Sequence, residues 1–308
     1  MPNNLYDPAR PSTPDVLAAR AVPADLHDPR EGAAFYQPSS GLVDAVNVAL
    51  ALGAPLLLTG EPGCGKTQLA WHLVRHFGIE DIRQPFQLSV KSTTTHEDLL
   101  WGFDTVRYFH DGQDPQRKGQ PLDRRAYREK GPLWLAIETA NEGKAAVVLI
   151  DEIDKAPRDF PNDLLHELDQ YDFVCKPTGE PVRRDAHTPP PVVIVTSNSE
   201  KRLPDAFLRR CVFHHLELDE ATVREAVIRR LPRLQANAAV AEAAIEQFWR
   251  IRKRPGVRKK PSTGELLGWV HALHRQGVRV EAVRDRPLAE LPCLGVLIKD
   301  EDDRKALR

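Results

Sequence analysis

The sequence predicts an α/β protein: a three-layer αβα domain built on a parallel sheet, followed by a smaller helical domain. Three observations carry this reading. Short apolar runs, "PLLLT" (55–59), "FQLSV" (86–90), "AVVLID" (146–151) and "PVVIVTS" (191–197), lack polar alternation, as strands buried on both faces of a parallel sheet do. Helical patterns lie between them, notably "KTQLAWHLVRHFG", "GPLWLAIETANEG" and "RDFPNDLLHELDQ", and this alternation is that of a sheet covered by helices. After "FHHLEL" (213–218) the strands give way to "DEATVREAVIRRLP", "NAAVAEAAIEQFWRIRK" and "STGELLGWVHALHRQG", which sets a boundary near residue 216.

Taken in order, residues 1–35 are Pro-rich and poor in apolar periodicity, which predicts a mostly extended N-terminal arm. Residues 36–215 form the αβα domain and 216–308 the helical one. The first helix of the αβα domain uses Leu42, Val43, Val46, Val48, Leu50 and Leu52, with Ser39 or Ser40 as its cap and Gly53 as its stop. An insert is expected over about 97–120, with Trp101, Phe103, Tyr108 and Phe109 clustered in or near it. "YDFVCKPTGEPVRRD" (171–185) reads as a short hairpin around its "PTGE" turn.

Composition narrows the function. The 308-residue chain has a net charge of −1, which disfavours the broad basic surface of a non-specific nucleic-acid binder. Cys64, Cys175, Cys211 and Cys293 are far apart, with neither a metal-ligand spacing nor a disulfide framework. No apolar run reaches the length of a membrane span. These features predict a soluble cytoplasmic protein whose partners are small molecules or proteins.

The chemistry centres on "GEPGCGKT" (60–67), which satisfies G-x-x-x-x-G-K-[ST] between a strand and a helix. Here Gly60, Glu61, Pro62, Gly63, Cys64 and Gly65 make a loop whose N–H groups can face phosphate. Lys66 reaches the outer phosphates, Thr67 provides a hydroxyl for Mg²⁺, and Gln68 continues the first helical turn. Asp151 and Glu152 end the strand "VVLID", where open α/β sheets place their ligands. Asp151 suits the Mg²⁺ shell and Glu152 the attacking water, although Asp151 or Asp154 can also serve as a helix cap. Asn198 stands just past another strand, within reach of a γ-phosphate or its water.

With these elements in this order, the chain resembles an AAA+ ATPase, and within that class the MoxR family. The likeness runs over roughly residues 36–275. It includes "SVKSTTTHEDLLWGFD", "KGPLWLAIETANEG", "VVLIDEIDKAPRDFPNDLLHELD", "TSNSEKRLPDAFLRRC" and "KKPSTGELLGWV". The resemblance implies that Lys66 and Thr67 are the Walker A motif, Asp151 and Glu152 the Walker B motif, and Asn198 the first sensor, with ATP and Mg²⁺ as cofactors. It also implies a ring, usually a hexamer, in which one subunit lends an arginine finger to its neighbour. "LRRC" makes Arg210 the first choice for that finger and Arg209 the second. The hairpin resembles the pre-sensor hairpin of this clade, and the aromatic insert its interrupted second helix, used around the pore or for partner contact; packing of the insert onto its own domain is the alternative. Family members typically act as chaperone-like ATPases with a von Willebrand factor A domain partner.

One departure concerns the helical domain. Ser262 and Glu265 have capping-box spacing, but Gly264 falls where a second sensor arginine is expected, which leaves Arg258, Lys259 or Lys260 as substitutes. The surrounding basic run "RIRKRPGVRKKP" reads as a solvated face. Two rival functions compete with the first: a nucleic-acid-coupled motor of restriction-translocase type, with ATP or GTP as fuel, and a nucleotide-binding scaffold with little turnover.

Overall fold

The computed structural model describes residue 26 and residues 28–79, 84–114, 121–234 and 236–308. The chain divides into two compact units. One comprises Pro38–Gly60 and Lys66–Leu216; the other gathers the described residues up to Gln37, Glu61–Gly65 and Glu217–Arg308.

The first unit is an α/β fold. Among the described residues its main sheet has five strands: β1 (Leu56–Gly60), β2 (Phe86–Ser89), β5 (Val147–Asp151), β8 (Val192–Ser197) and β9 (Val212–Leu216). They are all parallel, in the order β2-β5-β8-β1-β9. The three central strands are buried almost throughout, as their unbroken apolar runs require. β2 corrects one expectation: Phe86 and Leu88 are half-buried while Gln87 and Ser89 are exposed. The strand lies at the sheet edge, so one face lacks a covering layer.

Register explains the site. Leu149 pairs with Ile194 and Ile150 with Val195, while Leu58 pairs with Thr196 and Thr59 with Ser197. The carboxyl ends of β5, β8 and β1 therefore stand side by side.

Helices cover this sheet. The sequence left α2 (Ser40–Leu52) with two candidate caps; Ser39 takes that role, its hydroxyl accepting from the Leu42 N–H, and Gly53 ends the helix in a left-handed conformation. α3 (Lys66–His76) and α6 (Pro132–Asn141) also pack on the sheet, and Trp134, Ile137, Val148, Ile150 and Val195 share one core. The "RDFPNDLLHELDQ" pattern forms two helices rather than one, α7 (Phe160–Asp163) and α8 (Leu165–Gln170). The fully buried Leu164 lies at their junction, where its backbone opens to φ −94°, ψ −4°.

In the insert, α4 (Glu97–Leu100) leads into β3 (Trp101–Phe103) and α5 (Thr105–Gln113). β3 pairs antiparallel with β4 (Arg128–Lys130); residues 115–120 lie outside the described part. Tyr108 packs against Phe103 and Tyr127, and Trp101 packs on the core, whereas Phe109 remains 61% exposed. β6 (Asp172–Cys175) and β7 (Glu180–Arg183) form an antiparallel hairpin. Arg128 grips Glu180 of this hairpin through two bonds, of 2.9 and 3.2 Å.

The second unit is helical. Its principal members are α10 (Glu220–Leu234), α11 (Ala238–Lys253), α12 (Thr263–Arg275), α13 (Val280–Arg284) and α14 (Glu301–Ala306) around Val227, Phe248, Trp269, Val270 and Leu273. The Ser262–Glu265 capping box is formed at the start of α12. Buried Asp303 on α14 accepts from the backbone N–H groups of Arg258 and Lys259.

The extended arm expected over residues 1–35 falls mostly outside the described residues. Its described end is not extended: Asp28 caps a short helix, α1 (Pro29–Ala33), with Pro29 at its first turn. Arg230 donates to the Gly32 carbonyl at 3.1 Å and Arg233 pairs with Glu31, so α1 is held to α10.

Candidate functional site

β1 ends at Gly60, and α3 begins at Lys66. Lys66 is buried, and its ammonium turns back to donate to the Gly60 carbonyl at 2.8 Å. One residue on, the Thr67 hydroxyl donates to Asp151 Oδ1 at 2.9 Å. The same carboxylate oxygen accepts from the Thr196 hydroxyl at 2.6 Å, and Thr196 in turn accepts from the Glu152 N–H at 2.8 Å. Thr196 is fully buried and uses its hydroxyl in both directions, which fixes the orientation of Asp151 and of the Glu152 backbone.

Glu152 has a left-handed backbone, φ 61° and ψ 49°, which is strained for a residue with a Cβ. The kink carries its carboxylate to Asn198, whose Nδ2 donates to Oε1 at 3.2 Å. Lys155 donates to the other oxygen, Oε2, at 2.5 Å. The hydrogen bond from Lys155 to Glu152 pushes the lysine pKa above its usual value. Thus Lys66, Thr67, Asp151, Glu152 and Asn198 meet at neighbouring strand ends.

The donor set fits a magnesium nucleotide. Thr67 and Asp151 are hard oxygen groups already in mutual contact, as a Mg²⁺ shell needs. The Lys66 ammonium rests on a carbonyl that a phosphate oxygen can replace as its partner.

The intervening loop belongs with the helical unit. A Cβ added at Gly63 (φ 78°) falls 2.3 Å from the Ser262 Cβ, and one at Gly65 (φ 97°) falls 2.9 Å from the Tyr36 ring. Both positions therefore demand glycine twice over, for conformation and for space. Arg252 pairs with Glu61 and donates to the Pro261 carbonyl at 2.5 Å, while Lys260 comes within 4.0 Å of Glu61. Pro62 is exposed and Cys64 half-buried; Gln68 is half-buried on α3.

Residues 55–211, just over half of the chain, match the model of the AAA domain, dynein-related subfamily. The chain belongs to this AAA family. A crystal structure of a candidate ATPase from Cytophaga hutchinsonii is similar to it at 15% identity, over 85% of this chain and 79% of that one, with a TM-score of 0.43. No curated protein matches the sequence.

The two finger candidates lie after α9 (Asp205–Leu208) of the AAA domain and, among the described residues, share no hydrogen bond with Lys66, Thr67, Asp151, Glu152 or Asn198. Arg210 is tied within its own chain, donating to Asp169 Oδ2 at 2.6 Å and to the Ala206 carbonyl at 3.0 Å. The exposed Arg209 guanidinium has no hydrogen-bond or ion-pair partner among the described residues.

Sequence reasoning passed over three residues, two beside the strand ends of the first unit and one in the helical unit. Thr196 was one more polar residue at a strand end. Asp154 offers itself in the sequence only as an alternative cap, yet its oxygens accept from the N–H groups of Asn198 and Glu200. Arg252 was counted in a solvated basic run; its side chain is only 8% exposed, with the rings of Phe248 and Trp249 at 5.7 and 5.6 Å. The signal available for Arg252 was the adjoining aromatic pair in "QFWRIRK", since a guanidinium can rest on such rings.

Proposed function

We propose that the chain is a MoxR-like AAA+ ATPase that hydrolyses ATP with Mg²⁺ at subunit interfaces of a ring, and uses the cycle to remodel or mature a protein partner. The observation that carries the hydrolytic part is the continuous hydrogen-bond path from Thr67 through Asp151 and Thr196 to Glu152 and Asn198. A merely nucleotide-binding scaffold has no need of a glutamate held in strained backbone at its end.

Bound ATP·Mg²⁺ supplies a polarised γ-phosphorus open to in-line displacement. In the proposed reaction Lys66 and the N–H groups of the 60–66 loop hold the phosphates, and Thr67 and Asp151 hold the metal. Glu152 orients and polarises the attacking water, accepting its proton, while Asn198 fixes the Glu152 carboxylate. Each Glu152 oxygen accepts one hydrogen bond, which leaves each a further lone pair for water. The Lys155 contact, at 2.5 Å, is the shorter and charge-assisted one, and it is half-exposed to solvent.

Within a ring, Arg210 or Arg209 completes the site of the neighbouring subunit, with Arg209 the freer and Arg210 requiring release from Asp169. A hexameric ring, a chaperone-like role and a von Willebrand factor A domain partner follow from the MoxR resemblance, and a cytoplasmic location from the cysteine usage and apolar patterning of the sequence. The AAA family match supports the ATPase class to which that resemblance belongs.

The test is steady-state ATP hydrolysis by the purified chain. Glu152→Gln should abolish turnover while nucleotide still binds; unchanged turnover sinks the assignment. Mixing Lys66→Ala subunits with Arg209→Ala or Arg210→Ala subunits should restore part of the activity for the true finger. No recovery at any ratio, with assembly intact, counts against a finger acting between subunits. Stimulation by polynucleotide with a steep salt dependence instead selects the nucleic-acid motor.

A further inference from the structure

Asp154 is almost fully buried, at 2% exposure, three residues past Asp151, the last residue of β5. A buried carboxylate needs strong donors to persist as a charge. Its donors are not in its own turn: Glu152 caps the Ile153–Lys155 turn without a side-chain bond, and Asp154 caps nothing local. Oδ1 accepts from the Asn198 N–H at 3.2 Å and Oδ2 from the Glu200 N–H at 2.9 Å.

Between those two amides lies Ser199, a non-glycine residue in left-handed backbone, φ 61°. The loop after β8 is therefore held in a conformation it does not favour by itself, with a bidentate carboxylate gripping it on either side of the strained residue. Lys201 adds a second tie, donating to the carbonyls of Lys155 and Ala156 at 3.3 and 3.0 Å. Asn198 is thus pinned twice from one short stretch of chain: its backbone by Asp154 and its side-chain amide by Glu152. Buried Ile153 and Ala156 anchor that stretch in the core.

We propose that Asp154 is a positioning residue for hydrolysis: through the backbone of residues 198–200 it sets the register of Asn198 against Glu152. It touches neither nucleotide nor water itself. This rests on the reading of the site as a hydrolytic centre.

The experiment measures kcat, KM and MgATP binding for the wild type, Asp154→Ala, Asp154→Asn, Asn198→Ala and the double variant Asp154→Ala/Asn198→Ala. Asp154→Ala should lower kcat about 10- to 100-fold while KM and the binding constant stay within about 3-fold. Asp154→Asn, keeping one acceptor oxygen, should fall between Asp154→Ala and the wild type. If Asp154 works through Asn198, the double variant should be no more than about 2-fold slower than Asn198→Ala alone. Losses that multiply overturn the proposal, as does an unchanged kcat in Asp154→Ala.

Should Asp154→Ala fail to fold, Asp154→Asn, alone and combined with Asn198→Ala, serves the same comparison. Hydrogen exchange supplies a readout independent of turnover: the Asn198 and Glu200 amides should exchange at least about 10-fold faster in the variant, and unchanged protection overturns the clamp. A wild type without Glu152-dependent turnover defeats the hydrolytic reading instead, and leaves the exchange result to decide whether the clamp exists.

Discussion

Thr196 links the Asp151 carboxylate to the Glu152 backbone N–H with one hydroxyl. Thr196→Val keeps the shape and deletes the hydroxyl, leaving the Glu152 N–H unsatisfied and freeing Asp151 to turn. Turnover should fall about 10-fold, consistent with the roughly 1–3 kcal/mol of a hydrogen bond to a charged group. The Mg²⁺ needed for half-maximal rate should rise several-fold, and a magnesium titration of ATPase activity checks both. An unaltered Mg²⁺ requirement would remove Thr196 from the metal's support. Lys66, Thr67, Asp151, Glu152 and Asn198 could be singled out from sequence because each stands at a fixed offset from a glycine loop or an apolar strand. Thr196 and Asp154 could not, since their value arises from which strands become neighbours, and a strand-end threonine or a turn aspartate has many bland uses.

At the scale of elements, Asp303 closes the segment between α11 and α12 by accepting two backbone N–H groups. Those amides hold its carboxyl below the usual carboxylate range, against the opposing effect of burial. A depressed carboxylate pKa stabilises the fold above the unfolded value of 3.8, and this contribution disappears as pH falls through the lower folded value. Asp303→Asn should therefore melt earlier than the wild type at pH 7, and the gap should narrow on the acid side of pH 3.8. A gap independent of pH would mean that packing, not charge, is what the substitution disturbs. The Ser262–Glu265 capping box could be read from a three-residue spacing, whereas Asp303 and Arg258 are 45 residues apart and no local pattern announces them. The split between α7 and α8 escaped for a related reason: Leu164 satisfies the helical period yet serves the core at the junction.

For the molecule as a whole, alternation of apolar runs and amphipathic stretches revealed the order of elements, but not the spatial order β2-β5-β8-β1-β9. By sequence every run reads as doubly buried, and the edge position of β2 explains its exposed Gln87 and Ser89. No described helix is long and apolar enough to cross a membrane. The bridging threonine and the surrounding core hold Glu152 in left-handed backbone, at a cost of roughly 1–2 kcal/mol. Asparagine accepts that conformation more readily, so Glu152→Asn should raise the melting temperature by about 2–4 °C while ending hydrolysis. Calorimetry beside an ATPase assay checks the pair, and a lower melting temperature would show that the ion pair with Lys155 outweighs the strain. Folding and catalysis thus favour different residues at position 152. In descendants released from the need for turnover, drift should exchange this glutamate early, so its identity in a given genome becomes a record of whether hydrolysis is still under selection.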